Sequence, residues 1–223
     1  PGTPEPGMIF YGTNYPHTTG NYLIICENDG TPYFYYQITD VVRSGNFLLH
    51  ANGWLSAHLY DQRGRYYWRH LIFDSTFTLI DVYQVGHGYT TDNHELQFLA
   101  NGHALMISHQ VVKLDLSDVV PGGRTSVNVQ GMHVQELDTD KNVIFEWRTW
   151  DNFNIRDAVQ EDLTGGNIDY SHINSIDVDY DSNYVISSRN LCEITKINRK
   201  TGEIIWRLGG ENNEFDFIND AVP

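Results

Sequence analysis

Basic residues are scarce in this sequence. Lysine and arginine together number 14 against 29 aspartates and glutamates, which leaves a formal charge of −15. A surface of that sign repels phosphate backbones and anionic lipid head groups, so nucleic acid and membrane surfaces are excluded as main partners. A small anion is not excluded, because a local Arg/His cluster outweighs charges lying beyond roughly one Debye length, about 8 Å. Cysteine is almost missing as well. Cys26 and Cys192 cannot define a disulfide scaffold, and their separation in the sequence gives a bridge no geometric support. Cys26 closes the apolar run Leu23–Cys26 and reads as a buried thiol. With no Cys-x-x-Cys and ten scattered histidines, no metal-ligand spacing is present, and no metal or cofactor is expected. No apolar stretch has the length of a membrane span, and no signal-peptide pattern occurs. Sustained apolar spacing at three and four residues is absent too, so helix content should be low.

What is present in quantity is aromatic side chains and glycine. The 14 tyrosines equal lysine plus arginine in number, and 19 glycines accompany them. Together with Val, Ile and Thr this composition favours strands and tight turns. A chain of 223 residues suffices for one domain with a substantial core. Four segments repeat one design, an apolar strand, a polar Asp/Asn turn and an aromatic-rich strand: Tyr22–Tyr36, Ala57–Trp68, His133–Trp147 and Glu193–Trp206. Shorter hairpins lie between them at Phe47–Ser56, His94–Ser108 and Asp177–Ser188. Each turn calls for residues that tolerate positive φ. An inner hairpin followed by an outer one makes four antiparallel strands per repeat of about 40–50 residues, the arithmetic of a β-propeller blade. The expected fold is therefore all-β, a propeller of four-stranded antiparallel blades, with residues 1–223 as a single domain covering about four to five blades. An unclosed propeller leaves strand edges bare, so completion at the C-terminal end by further residues, a second copy or another chain is expected. Insertions are predicted at Ser117–Arg124 and Trp150–Leu163, the latter with one short helix around Asn154–Gln160. The opening Pro1–Gly7 reads as a linker or the start of a processed, exported protein.

The chemistry concentrates in Tyr170–Asp177 and Ser187–Asn190. In an extended chain His172 and Asn174 share a face with Ile176, while Ile173 and Ser175 take the other. Arg189 returns on the next strand after a turn at Asp181–Asn183. An imidazole, an amide and a guanidinium on one rim suit a small anion with a basic leaving group. On these residues alone a second reading stays open, a polar strand end whose side chains cap backbone. His87, His103, His109 and His133 read as strand or turn residues. Asp177 and Asp179, about 7 Å apart along a strand, could suggest a glycosidase pair but are read as turn supports. Tyr33–Tyr36 reads as core packing.

Asp92–Leu105, Asp169–Asp177, Ser187–Arg189 and Thr201–Gly210 resemble, in order, signatures of the bacterial arylsulfate sulfotransferase family. Pro6–Phe10 and Tyr22–Gly30 resemble that family's opening, so the similarity spans nearly the whole chain. It implies a six-bladed, exported propeller, periplasmic or extracellular, whose partners are a small-molecule aryl sulfate and a phenol. A sulfuryl group would pass from ester to phenol through a sulfohistidine, without a nucleotide sulfate donor. Matched residue by residue, His94 falls on the family's first active-site histidine, and His172 and Asn174 on the second histidine and its asparagine. Arg189 falls on the anion-holding arginine, and Tyr170 stands where the family often has Trp, supplying a ring for an aryl substrate. These side chains suit the reaction. A guanidinium offers a forked donor to two sulfate oxygens, an amide adds a fixed hydrogen bond, and an imidazole can protonate the departing phenolate. The family's nucleophilic histidine follows an aromatic pair like Phe215-Asp-Phe217 and is expected beyond residue 223. The alternative expectation is a propeller that serves as a non-catalytic binding or structural module.

Overall fold

The computed structural model of the chain describes residues 6–13, 20–38, 43–61, 67–216 and 218. Residues 1–5 of the expected linker, the 62–66 turn of the second repeat, Phe217 of the aromatic pair and the 219–223 tail lie outside the described residues. The fold is all-β and mostly antiparallel. The first sheet joins β1 (Met8–Gly12), β2 (Asn21–Glu27) and β3 (Pro32–Ile38). The second runs β4 (Arg43–Leu49), β5 (Leu55–Asp61), β6 (Tyr67–Phe73) and β7 (Leu79–Tyr83). The third runs β8 (Thr90–Phe98), β9 (Ala104–Leu114), β10 (Val127–Leu137) and β11 (Val143–Arg148), with β12 (Asn167–Asp169) added in parallel to β10. The fourth runs β13 (Ile173–Val178), β14 (Tyr184–Ser188), β15 (Glu193–Ile197) and β16 (Ile204–Gly209). Consecutive strands are neighbours in every sheet, so nearly all pairing is local. Among the described residues no helix is long and apolar enough to cross a membrane.

Hairpin tips use the Asp/Asn chemistry visible in the sequence. Asn52 and Asn101 each accept from the backbone N–H two residues on, and Gly53 and Gly102 follow at φ +82° and +84°. Asp29, Asp138 and Asp181 close their turns through the same side-chain acceptor. In the third and fourth sheets the inner and outer hairpins fall where the repeats place them. The second sheet differs. The Ala57–Trp68 repeat is its central β5–β6 pair, and its outer hairpin is β6–β7, closed at Asp74–Thr78 with Phe77 at φ +61°.

Burial follows the two-residue period of a strand. Along β9, Ala104 and Met106 pack toward the second sheet with Ile72, Tyr83 and Leu96. Leu105 and Ile107, on the opposite face, join Met132, Ile173, Ile176 and Ile186 between the third and fourth sheets. The third sheet is thus buried on both faces, which explains the unbroken apolar run Ala104–Ile107. A third cluster, with Leu23, Ile25, Phe47, Leu59 and Phe73, fills the space between the first and second sheets. The third and fourth sheets are also tied by Glu136, 2% exposed. Its carboxylate accepts from Arg199 (Nε at 2.9 Å), from Tyr184 Oη and from His103. On β3 the aromatic run splits by face: Phe34 and Tyr36 pack on the core, whereas Tyr33 and Tyr35 are exposed, a correction to reading the whole run as core.

The only helical structure among the described residues is one α-helical turn, α1 (Thr149–Asn152), and one 3-10 turn, Ile155–Asp157. The helix expected at Asn154–Gln160 shrinks to that turn. Asn154 caps Arg156 N at 3.0 Å, and the chain is extended again by Ala158. Trp150 of α1 lies over Gly131 of β10, where a Cβ would meet the indole at 2.1 Å. Both cysteines are free, Cys26 buried and Cys192 exposed.

Candidate functional site

The site grows out of two breaks in strand regularity. On β8, Thr91 pairs with Ser108 and Leu96 with Met106, so four residues, Asp92–Glu95, stand opposite the single residue Ile107. They are pushed out of the sheet as a wide bulge. Three bonds hold it: Asn46 Nδ2 donates to the His94 carbonyl (2.7 Å), His94 N donates to Asp92 Oδ1 (2.9 Å), and His70 Nε2 donates to the Asp92 carbonyl (3.2 Å). The second break precedes β13. His172 adopts φ +47°, a left-handed conformation that non-glycine residues visit rarely and that often marks a functional position. Its carbonyl accepts from Arg189 N at 3.0 Å. Asn174 is then an extra residue between the pairs Ile173–Ser188 and Ser175–Ser187.

These breaks bring His94 and His172 together, with ring centroids 5.2 Å apart and planes at 80°. Each imidazole is held from behind by its own carboxylate. His94 Nδ1 lies 2.6 Å from Asp92 Oδ1, and His172 Nδ1 lies 2.5 Å from Asp169 Oδ2. A carboxylate accepts only, so Nδ1 carries the hydrogen in both rings, and each Nε2 keeps its lone pair when the ring is neutral. No hydrogen bond to a described residue occupies either Nε2.

Asp92 also faces His109, whose Nδ1 lies 3.5 Å from Oδ2. Burial works to raise the Asp92 pKa, but the nearby His109 imidazole and the hydrogen bond from His94 outweigh it and hold the carboxyl below its usual range. The hydrogen bond to Asp92 raises the His94 pKa above 6.5, against the opposing effects of burial and of the Arg189 charge. Behind the bulge, His70 and His58 are kept neutral by burial, His70 with its pKa lowered to about 4.

Arg189 lies in the turn after β14, exposed, with Nε donating to Asn190 Oδ1 at 3.1 Å. Asn190 in turn donates through Nδ2 to the Asp169 carbonyl and to Glu161 Oε2 (3.3 Å). The arginine and the Asp169–His172 pair therefore share one scaffold. The structure thus brings His94, His172 and Arg189 into one neighbourhood, with Asn174 half-buried at the start of β13. The bulge corrects the simple alternation expected for this strand. Ile173 and Ile176, an odd and an even position, are both in the core. Tyr170 departs from expectation. It is 1% exposed and packed against Trp150 (5.4 Å between centroids) in the core, rather than open to a substrate ring. Its packing partner is the indole that the bare Gly131 lets in.

Sequence reasoning missed Asp92 and Asp169 as partners; His109 is a strand residue as expected, on β9, but its ring also faces Asp92. The sign was there in Asp92-x-His94 and Asp169-x-x-His172, spacings at which a carboxylate can fold back on a nearby ring. The other excluded histidines have partners elsewhere: His87 pairs with Glu146 and His103 with Glu136, and His133 packs at a tilt against Tyr89, ring centroids 4.3 Å apart. Asp179 pairs with Lys196 of β15 at 2.5 Å, and Asp177, on β13, accepts from the next backbone N–H.

The family model described as arylsulfotransferase (ASST) matches residues 50–222, which include every candidate site residue. No curated protein matches the chain. Among solved structures, a protein of unknown function from Bacteroides caccae is 9% identical with a TM-score of 0.39, covering 92% of this chain and 73% of that one. Hydrazine synthase of Kuenenia stuttgartiensis is 11% identical with a TM-score of 0.46, covering 84% of this chain and 52% of that one. The chain thus spans about half the length of that second structure. Neither likeness is close enough to bear on the chemistry.

Proposed function

The chain belongs to the arylsulfotransferase family, and we propose that it transfers a sulfuryl group from a phenolic sulfate ester to a phenol. The observation that carries this reading is the pair of carboxylate-held imidazoles, 5.2 Å apart, beside an arginine that no carboxylate neutralises among the described residues. In this reading Arg189 and the Asn174 amide take the sulfate oxygens, and His172 orients the group. His94, raised toward neutrality by Asp92, is the acid–base residue. A nitrogen nucleophile attacks sulfur, the sulfur–aryl oxygen bond breaks, and the departing phenolate takes the His94 proton. In the second half His94 removes the proton of the acceptor phenol, whose oxygen attacks sulfur as the nitrogen–sulfur bond breaks. The nucleophile is assigned, by resemblance, to a further histidine later in the family's order. The four sheets are read as successive blades of a six-bladed propeller completed by further residues, a second copy or another chain. An exported setting, periplasmic or extracellular, rests on the resemblance alone.

The test compares His94→Gln with wild type in the full-length protein, using 4-nitrophenyl sulfate and phenyl sulfate as donors. A good leaving group needs its proton less, so the variant should lose far more activity on phenyl sulfate. Equal losses on both donors would remove His94 from the acid–base role. No release by the wild-type protein from either donor would leave the chain a binding module.

A further inference from the structure

Beside the Asp92–Glu95 bulge lies a cavity of about 80 Å³, whose walls include Arg43, Asn46, His58, Trp68 and Asn93. A water needs about 10–15 Å³ of such space, so the cavity holds several waters or one tetrahedral oxyanion of five heavy atoms. Its lining is cationic and polar. Among the described residues no Asp or Glu lines it, in a chain where acids outnumber Lys and Arg by 29 to 14. Arg43, at the start of β4, has no carboxylate partner among the described residues. His58, on β5, is 3% exposed, and its Nε2 has no hydrogen-bond partner. An imidazole nitrogen buried in this state is costly, and a ligand oxygen would satisfy it. The Asp92 charge lies within reach of His58 but is already committed to His94 and His109.

We propose that this cavity is a second anion site, taking inorganic sulfate or phosphate through Arg43, Asn93 and the buried Nε2 of His58. Two oxygens would face the guanidinium fork, a third the Asn93 amide and the fourth the imidazole N–H. The site is coupled to the histidine pair by its walls. Asn46 donates to the His94 carbonyl at 2.7 Å, and Asn93 is the residue before His94. An oxyanion here therefore braces the bulge from which His94 projects. This binding does not depend on turnover, so it stands or falls apart from the transferase reading.

The experiment follows imidazole nitrogen signals of the full-length protein by NMR during titration with sodium sulfate, then sodium phosphate, against sodium chloride at matched ionic strength. The His58 signal should shift saturably with sulfate, phosphate or both, and not with chloride. Arg43→Gln should weaken the response by at least ~10-fold, the loss expected for a charge-assisted hydrogen bond. Asn93→Ala, on the exposed lip, should weaken it in the same direction. Arg189→Gln should leave it within about two-fold of wild type, as separate sites do. Circular dichroism confirms that each variant is folded. No saturable shift, an equal shift with chloride, or undiminished binding in Arg43→Gln would overturn the proposal. Loss of the response in Arg189→Gln would overturn it too, because the anion would then belong to the histidine pair.

Discussion

Replacing Asp92 with asparagine keeps the side-chain shape and removes the charge on which the His94 half of the site is built. Asp92 is 8% exposed at its side chain and accepts from His94 N at 2.9 Å and His94 Nδ1 at 2.6 Å, with His109 Nδ1 3.5 Å away but not hydrogen-bonded to it. A hydrogen bond to a buried charged group contributes about 1.5–3 kcal/mol. Its loss should lower the His94 pKa, because the hydrogen bond to the carboxylate is the main influence raising it. The sign of the stability change follows. A histidine whose folded pKa is raised stabilises the fold fully below its unfolded pKa, and that contribution is lost as pH rises through the folded value. Asp92→Asn should therefore be more destabilising at pH 5.5 than at pH 8.5 as far as His94 contributes. Turnover should fall further than stability, because an amide no longer fixes which ring nitrogen carries the hydrogen. The corresponding Asp→Asn change in a serine protease triad costs about 10⁴ in kcat, and a loss of ~10²–10⁴ is expected here. The assay is an NMR titration of the imidazoles of wild type and variant, with donor turnover measured on the same samples. If His94 titrates at the same pH in both proteins, the carboxylate does not set its protonation, and the acid–base assignment fails with it.

Arg189→Lys keeps a cation but loses the planar fork, so KM for the sulfate donor should rise about ten-fold, and more in Arg189→Gln. Arg189 also opposes protonation of His94, so Arg189→Gln should raise the His94 pKa, and an unchanged titration would place the arginine out of range. Gly131→Ala would put a Cβ 2.1 Å from the Trp150 indole and must displace it. Denaturant unfolding should show a loss of about 1–3 kcal/mol, and a change under ~0.5 kcal/mol would mean that Trp150 does not need that space.

Much of the fold was legible because its turns are local. Asn52-Gly53, Asn101-Gly102 and the Asp181 turn announce hairpins, whereas the burial of Ala104–Ile107 on both faces emerged only from the packing of the sheets. The β6–β7 hairpin escaped because its turn takes positive φ at Phe77, where no glycine or asparagine marks it. The candidate site was legible as residue types but not as geometry. Simple alternation placed His172 and Asn174 on one strand face, whereas His172 precedes β13 and Asn174 is an extra residue, both consequences of backbone that departs from the strand period. Asp92 and Asp169 sat inside the motifs yet gained meaning only when the β8 bulge and the His172 turn folded each carboxylate onto its ring. Tyr170 shows the converse. The family resemblance suggested a ring for an aryl substrate there, whereas Tyr170 packs against Trp150, the indole that fills the space over Gly131.

Direct sulfuryl transfer is the claim on which the account rests, and one measurement addresses it. Full-length protein is incubated with 4-nitrophenyl sulfate and phenol, and the products are identified by mass spectrometry beside a folded His172→Ala control. The account predicts phenyl sulfate formed in step with nitrophenol by the wild-type protein, and neither above background in the control. Nitrophenol release no greater than that of His172→Ala, or release that yields only inorganic sulfate, would contradict it.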